Sequence, residues 1–241
     1  MIPSPEAALP IEPRQRWRIT FAREAVAADA VGRPLLEAWQ DSVTSSGLPV
    51  ARQADSSGRI RIAFAAPLPA AARGEREWAD LWLVERVPAW RVRETLEPRL
   101  PAAHAWVDAE DVWLGSPALA GQVAAADWRI EVEPVDAAAC DAVTAAAEAL
   151  GSARTIPRIR TKGAEQKVYD LRPLLGEVGV ERTGDRLTVV ARTRFHPELG
   201  SGRPEEVVGA LAEAASVPLA IAAMTRCRLL LADEPVARRR R

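Results

Sequence analysis

The sequence has few of the residues from which catalytic and metal sites are built. It contains two histidines, His104 and His196, and two cysteines, Cys140 and Cys227, among 241 residues. The histidines do not form a clustered ligand set, and the cysteines do not have metal-type spacing. We therefore predict no catalytic residue, no metal site and no cofactor. We interpret both cysteines as buried thiols that behave as small apolar side chains.

Long hydrophobic runs are also missing. No apolar stretch reaches the length that crosses a membrane, and the first 13 residues have neither the basic start nor the apolar core of a signal peptide. We expect a cytoplasmic protein with reduced thiols and no membrane partner. Residues 1–15 are interpreted as a disordered, proline-rich leader and residues 234–241 as a basic tail.

Lysine is nearly absent from a chain that is rich in arginine. Of 32 basic residues, only Lys162 and Lys167 are lysines. Residues 1–150 carry 15 Arg and 22 Asp+Glu, a net charge of −7, whereas residues 151–241 carry 17 basic and 11 acidic residues, a net charge of +6. This asymmetry indicates an anionic partner for the second half. The alternative is that the two halves attract each other.

Hydrophobic periodicity predicts the same order of elements twice. Alternating residues predict strands, and helical stripes that begin near Pro34, Pro88, Asp136 and Pro204 predict helices. The predicted strands are 16–22, 59–69, 77–84 and 104–115 in the first half, and 127–135, 154–161, 186–195 and 224–232 in the second, with an insertion at 162–185. The fold class is therefore α+β, with two tandem ferredoxin-like (βαββαβ) domains that have antiparallel sheets. We place them at 16–120 and 121–233.

The motif Arg-x-Arg recurs on five of these strands or strand ends. Period two places each arginine pair on one face, opposite the core, and three of the pairs lie in the second half. They could line one guanidinium surface suited to phosphates. The alternative is a solvated strand face in an arginine-biased chain. The candidate nucleic-acid contacts are Arg158, Arg160, Lys162, Lys167, Arg172, Arg192, Arg194, Arg226 and Arg228.

Three stretches resemble the bacterial radical SAM-linked protein family, a domain of uncharacterised function. They are "RIRIAFAAPLPAAARGEREWADLWLV", "RTKGAEQKVYDLRPLL" and "GSGRPEEVVGAL", so the resemblance spans roughly residues 16 to 232. Members usually carry a Ser-His-Leu-Asp-like stretch at the first helix and a "GFNPHP"-like loop. This chain has Ala30–Pro34 and "ARQADSSG" at those places. The resemblance implies an RNA-related or accessory role beside a radical SAM protein.

Together these observations predict a non-enzymatic binding module with RNA as its partner through the basic second domain. The alternative is a protein adaptor or accessory subunit of a radical SAM or RNA-modifying enzyme. An enzyme is disfavoured because clustered acid–base residues are missing. The sequence leaves the oligomeric state open.

Overall fold

The structure is a computed structural model, and it describes residues 12–55, 57–133, 135–162, 165–183 and 186–232. The side chains of Thr161, Lys162, Glu165 and Lys167 are not described. Most of the predicted leader, and the whole of the predicted basic tail, lie outside the described residues.

The chain has a mixed α+β fold with a large, mostly antiparallel sheet, which confirms the predicted α+β class. The strands are β1 Gln15–Arg23, β2 Ile62–Phe64, β3 Ala72–Leu83, β4 His104–Val112, β5 Val123–Val132, β6 Pro157–Lys162, β7 Glu165–Asp170, β8 Leu175–Thr183, β9 Arg186–His196, β10 Gly200–Ser201 and β11 Ile221–Leu231. The helices are α1 Arg33–Ser45, α2 Ala89–Leu96, α3 Leu119–Gln122, α4 Ala137–Ser152 and α5 Pro204–Ala215. No helix of the described part is long and apolar enough to cross a membrane.

The chain divides into two compact units. The first comprises the described residues up to Pro67 together with Glu77–Gly121, and the second comprises Leu68–Arg76 and the residues from Gln122 onward. The segment Leu68–Arg76, which lies inside the first predicted domain, therefore clusters with the second unit. The assignment of two tandem ferredoxin-like domains is not confirmed by these findings and is taken up below as a proposal.

In the first unit the strands lie in the order β4-β1-β3-β2. Helices α1 and α2 begin at proline-containing turns, because a proline has no N–H to satisfy at a helix start. They contribute Trp39, Val43, Val92 and Leu96 to one apolar core with the alternate residues of β1. The sequence pattern therefore placed this core correctly.

The other face of β1 is also buried, which the sequence did not predict. Arg16 and Arg18 were expected to face solvent, yet they are 1% and 5% exposed. Both donate hydrogen bonds to the fully buried carboxylate of Asp80, each from Nε at 2.9 Å. Arg16 also donates to two backbone carbonyls, of Ser116 and Pro117. The first arginine pair is thus part of a buried ion network with Asp80, and it does not belong to a solvent-facing surface.

In the second unit the strands lie in the order β8-β9-β5-β11, and β10 also pairs with β9. These pairings are antiparallel, and β11 also pairs in parallel with the first residues of β3. Asp136 caps α4 by accepting a hydrogen bond from the N–H of Ala139, which confirms the predicted cap. One face of this sheet carries the buried core with α4 and α5, and the other carries half-buried polar residues.

The second strand of this sheet is β8, and it falls inside the predicted insertion 162–185. The predicted strand 154–161 instead contributes β6, which pairs with β7 in a separate two-stranded sheet. The prediction was wrong because the pattern of β6 is strong, whereas β8 contains two glycines and two glutamates that weaken its apolar alternation.

Candidate binding groove on the second sheet

A groove of about 390 Å³ lies on the sheet face of the second unit that carries the half-buried polar residues. Side chains on this face alternate with core residues along each strand, so they come from every second position. We call it the sheet groove. Its lining residues are Asp127, Trp128, Arg129, Glu177, Val178, Gly179, Glu181, Val190, Ala191, Arg192, Cys227 and Arg228.

Asp127 organises the charges at the centre of the sheet groove. It lies directly across from Arg192 on β9 and from Arg228 on β11. Arg192 donates to both carboxylate oxygens, at 2.7 and 3.0 Å, and the Nε of Arg228 donates at 2.9 Å. Burial would raise the pKa of Asp127, but these hydrogen bonds outweigh it and hold the pKa below its ordinary value. Asp127 is therefore an ionised anchor that is already occupied by two guanidinium groups.

Arg228 keeps donors available for a ligand. Only its Nε is bonded among the described residues, and its side chain is about half exposed. A guanidinium carries five N–H donors in a planar fork. Its terminal amino groups can therefore bind an anionic or carbonyl group that enters the sheet groove.

The thiol of Cys227 opens into the same groove. The prediction that both cysteines are buried is confirmed for Cys140 and is wrong for Cys227, which is only partly buried. The register of β11 against β5 shifts between Arg226 and Arg228, so simple alternation fails at this position. Burial, followed by the nearby Glu75 carboxylate, raises the pKa of the Cys227 thiol. Such a thiol is a poor nucleophile near neutral pH.

The two glycines of β8 differ in how much space surrounds them. A Cβ on Gly176 would lie 3.0 Å from Arg192 Cγ and 3.2 Å from its carbonyl oxygen, so tight packing against Arg192 favours glycine there. A Cβ on Gly179 would meet only Val190 Cγ2, at an ordinary 3.4 Å. Neither sterics nor a left-handed backbone requires glycine at position 179. Its effect is to leave open the space above β8.

The hairpin β6–β7 holds the first two predicted contacts against a helix. Arg158 Nη1 lies 2.6 Å from a carboxylate oxygen of Glu213, and Arg160 Nε donates to Glu206 at 3.2 Å. The hydroxyl of Tyr169 donates to the same Glu206 carboxylate. These arginines therefore face α5 and do not extend the open face of the second sheet. The hairpin turns Ile159 and Val168 outward instead, at 61% and 70% exposure.

The remaining predicted contacts are dispersed. Arg226 is 1% exposed and lies over the ring of Trp128 at 5.6 Å, so its predicted position opposite the core is wrong. Arg172 donates to the carbonyl of Leu175 at 3.1 Å. Arg194 is exposed at the far end of β9. The side chains of Lys162 and Lys167 lie outside the described part of the chain. Of the nine residues, Arg192 and Arg228 meet in the sheet groove, and Arg158 and Arg160 lie together against α5.

The sheet groove also contains residues that sequence reasoning missed, chiefly Asp127, Arg129, Glu177, Gly179 and Glu181. A signal existed in "GEVGVE", where Glu177, Gly179 and Glu181 share one face at period two. The lining has three arginines and three carboxylates, so it is neutral as a whole. The described residues contain no group of three or more His, Cys, Asp or Glu side chains that could hold a metal ion.

The family model described as "Uncharacterized protein conserved in bacteria (DUF2344)" matches residues 16–200. No protein with a curated description matches the chain.

A solved structure shows a likeness of fold. A chain in the crystal structure of a Cbf5-Nop10-Gar1 complex aligns with 94% of this chain at a TM-score of 0.53 and 8% sequence identity. The alignment covers 54% of that solved chain, so this chain spans about half of its length. The crystal structure of an unknown protein from Galdieria sulphuraria aligns with 86% of this chain and 98% of its own, at 15% identity and a TM-score of 0.24.

Proposed function

The chain belongs to the DUF2344 family of uncharacterised bacterial proteins, and on the geometry of its own residues we propose that it is a non-enzymatic adaptor whose sheet groove receives a protein partner. The observation that carries this proposal is the open space above Gly179. A glycine inside a strand weakens the strand and commonly marks a place where a ligand or another backbone comes close.

The charge pattern supports a protein partner over a polyanion. Three carboxylates stand among the three arginines of the lining, and Asp127 already bonds to two of those arginines. A phosphate backbone would meet like charge at Glu177 and Glu181, whereas a protein surface can place opposite charges against each group. Asp127 is ionised and bonded to guanidinium groups, so it is poorly placed to transfer protons.

The resemblance to the radical SAM-linked family makes a radical SAM protein the first partner to test. The proposal also includes the finer fold assignment. The order β4-β1-β3-β2 in one unit and β11-β5-β9-β8 in the other is the arrangement expected of two split βαβ units. An adaptor of this kind would act in the cytoplasm, as the sequence led us to expect.

The test is a partner captured from the native host, purified, and titrated against two variants of this chain. Gly179→Val adds a branched side chain to the sheet groove, at a position where an added Cβ meets Val190 Cγ2 at 3.4 Å, and valine is a good strand former. We expect this variant to keep its thermal stability and to bind at least about tenfold more weakly. Thr183→Val, on the same strand outside the groove lining, is the matched control. Equal affinity of the Gly179→Val variant and the wild-type protein would refute the groove as the binding site.

RNA binding is the second candidate. It is favoured by the net charge of +6 over residues 151–241 and by the exposed Arg154, Arg186, Arg194 and Arg203 of the second unit. These arginines are spread over several elements, so any such binding would rest on separate phosphate contacts.

A further inference from the structure

We propose that the partner of the sheet groove is an extended segment that pairs with the free edge of β8 and carries the pattern basic–x–aromatic–x–basic. The proposal rests on the function proposed above, since it names what enters the same groove. It follows from the position of β8 in the sheet, from its two glutamates and from Gly179.

Strand β8 is an edge strand of its sheet. Within the described residues it pairs with β9 and with no other strand, so its other edge presents backbone N–H and C=O groups without a strand partner. Such an edge is a template for a further strand. Proteins protect such edges with bulges, charged side chains, lysine or proline. Strand β8, with the sequence LGEVGVERT, has charged residues and a register shift between Leu175 and Val178, but it has no lysine or proline, and its pairing with β9 is regular from Val178 to Thr183. Addition of a strand at such an edge is an established mode of peptide recognition.

The side chains of β8 define the sequence of the added strand. Glu177, Gly179 and Glu181 occupy alternate positions, and all three line the sheet groove. In a paired strand, the residues beside them project on the same face and lie within cross-strand contact distance. Glu177 lies 4.0 Å from Arg192 Nη1, yet its side chain is 74% exposed. Glu181 is also exposed, so opposite charge still favours Lys or Arg beside the two glutamates. Beside Gly179, the open space favours a large flat side chain that covers the glycine.

The experiment uses two synthetic peptides as probes, Ac-Thr-Lys-Thr-Phe-Thr-Lys-Thr-NH2 and the same peptide with Glu in place of Lys. At low salt we expect the full chain to bind the lysine peptide about tenfold more tightly than the glutamate peptide. The variant Glu177→Lys/Glu181→Lys should reverse this preference. Hydrogen exchange should slow in Leu175–Thr183 when the lysine peptide is bound, because new backbone hydrogen bonds form there.

Three outcomes overturn the proposal: no binding of either peptide at millimolar concentration, equal binding of both, or an unchanged preference in the charge-reversed variant. Circular dichroism checks that the variant is folded, and Glu181→Lys provides a milder form of the same reversal. The proposed function fails separately. Suppose that a purified partner loses affinity for Gly179→Val but binds the charge-reversed variant normally. The sheet groove is then still supported as the binding site, and the proposed strand pairing is wrong.

Discussion

Tyr169 is the only tyrosine of the chain, so its ionisation can be followed without interference from another phenol. Burial, and then the hydrogen bond to the Glu206 carboxylate, raises the pKa of Tyr169 to about 12. We expect the phenolate absorbance of the native protein to appear with a midpoint near pH 12. In denaturant the midpoint should be near the ordinary value of about 10.

The variant Glu206→Gln tests the cause of the shift in Tyr169. Removing the carboxylate charge should lower the midpoint, while burial should keep it above the value in denaturant. Glu205→Gln, on the exposed side of the same helical turn, should change nothing. Because the folded pKa is raised, the stabilisation from this phenol is complete below about pH 10 and is lost as the pH rises toward 12. An unshifted midpoint in the wild-type protein would contradict the contact.

His104 is held in its neutral form by the core of the first unit. Its Nδ1 lies 2.9 Å from the carbonyl of Ala102, and its buried Nε2 has no partner among the described residues. Its ring packs 5.3 Å from Phe21 and 5.7 Å from Trp39. Burial is the main reason that the pKa of His104 lies below its ordinary value.

The sign of this shift predicts acid sensitivity. The unfolded chain takes up the proton more readily than the folded chain, so the stabilisation is complete above about pH 6.5 and is lost as the pH falls through that value toward the folded pKa. Urea midpoints at about pH 7.5 and pH 5.5 should therefore differ in the wild-type protein. They should differ less in His104→Phe, which keeps the ring packing. The same decrease in both proteins would show that another group is responsible.

Asp80 carries the largest single electrostatic effect that we expect. It is fully buried and receives hydrogen bonds from Arg16 and Arg18. Asp80→Asn removes the buried carboxylate that both guanidinium groups share, so we expect a loss of about 3–5 kcal/mol in the free energy of unfolding. Glu110→Gln is the matched control, because Glu110 contacts Arg18 at 3.9 Å but is 66% exposed. It should cost no more than about 1 kcal/mol. Similar losses in the two variants would refute the special role of the buried pair.

At the scale of elements, helix α5 carries a notch that receives the β6–β7 hairpin. A Cβ on Gly209 would come within 2.5 Å of Arg158 Nη2. Through helix propensity, Gly209→Ala should raise the free energy of unfolding by about 1 kcal/mol. Displacing Arg158 from Glu213 should cancel much of this gain. We therefore expect little change in the thermal midpoint and faster hydrogen exchange in the hairpin, Pro157–Asp170. Unchanged exchange would mean that Arg158 does not fix the hairpin.

The helices of the second unit could be predicted from sequence, whereas the order of its strands could not. Helix α4 has a strong start signal at Asp136, and its residues Cys140, Val143, Ala147 and Leu150 are buried as their spacing predicts. Strand β8 has no such local signal. It belongs to the sheet because its backbone pairs with β9. Pairing between two segments cannot be predicted from the sequence of either segment alone.

At the scale of the whole molecule, four of the nine basic residues predicted to contact RNA are paired with carboxylates. Arg158, Arg160, Arg192 and Arg228 each contact a carboxylate within 3.2 Å. Period two places an arginine on a face, but it does not reveal that an acidic residue lies across from it. For this reason the sequence suggested a cationic platform where the structure has a neutral groove.

This neutralisation predicts weak RNA binding. In titrations of a single-stranded RNA at several salt concentrations, each phosphate contact contributes a slope of about −0.7 in a log–log plot. We expect the slope for the wild-type protein to correspond to only a few phosphate contacts. The variant Glu206→Gln/Glu213→Gln frees Arg158 and Arg160, so its slope should correspond to about one to two additional contacts. Arg194→Ala should remove at most one contact. A steep slope in the wild-type protein would favour the RNA candidate over the adaptor.

The partly buried thiol of Cys227 offers a way to look for ligands before any is known. Cys140 is 1% exposed, so an environment-sensitive maleimide should attach first at position 227. The raised pKa of this thiol makes labelling slow near neutral pH and faster at mildly alkaline pH. Any molecule that occupies the sheet groove should shield the sulfur. The rate of labelling thereby becomes a screening signal that requires no assumption about the identity of the partner.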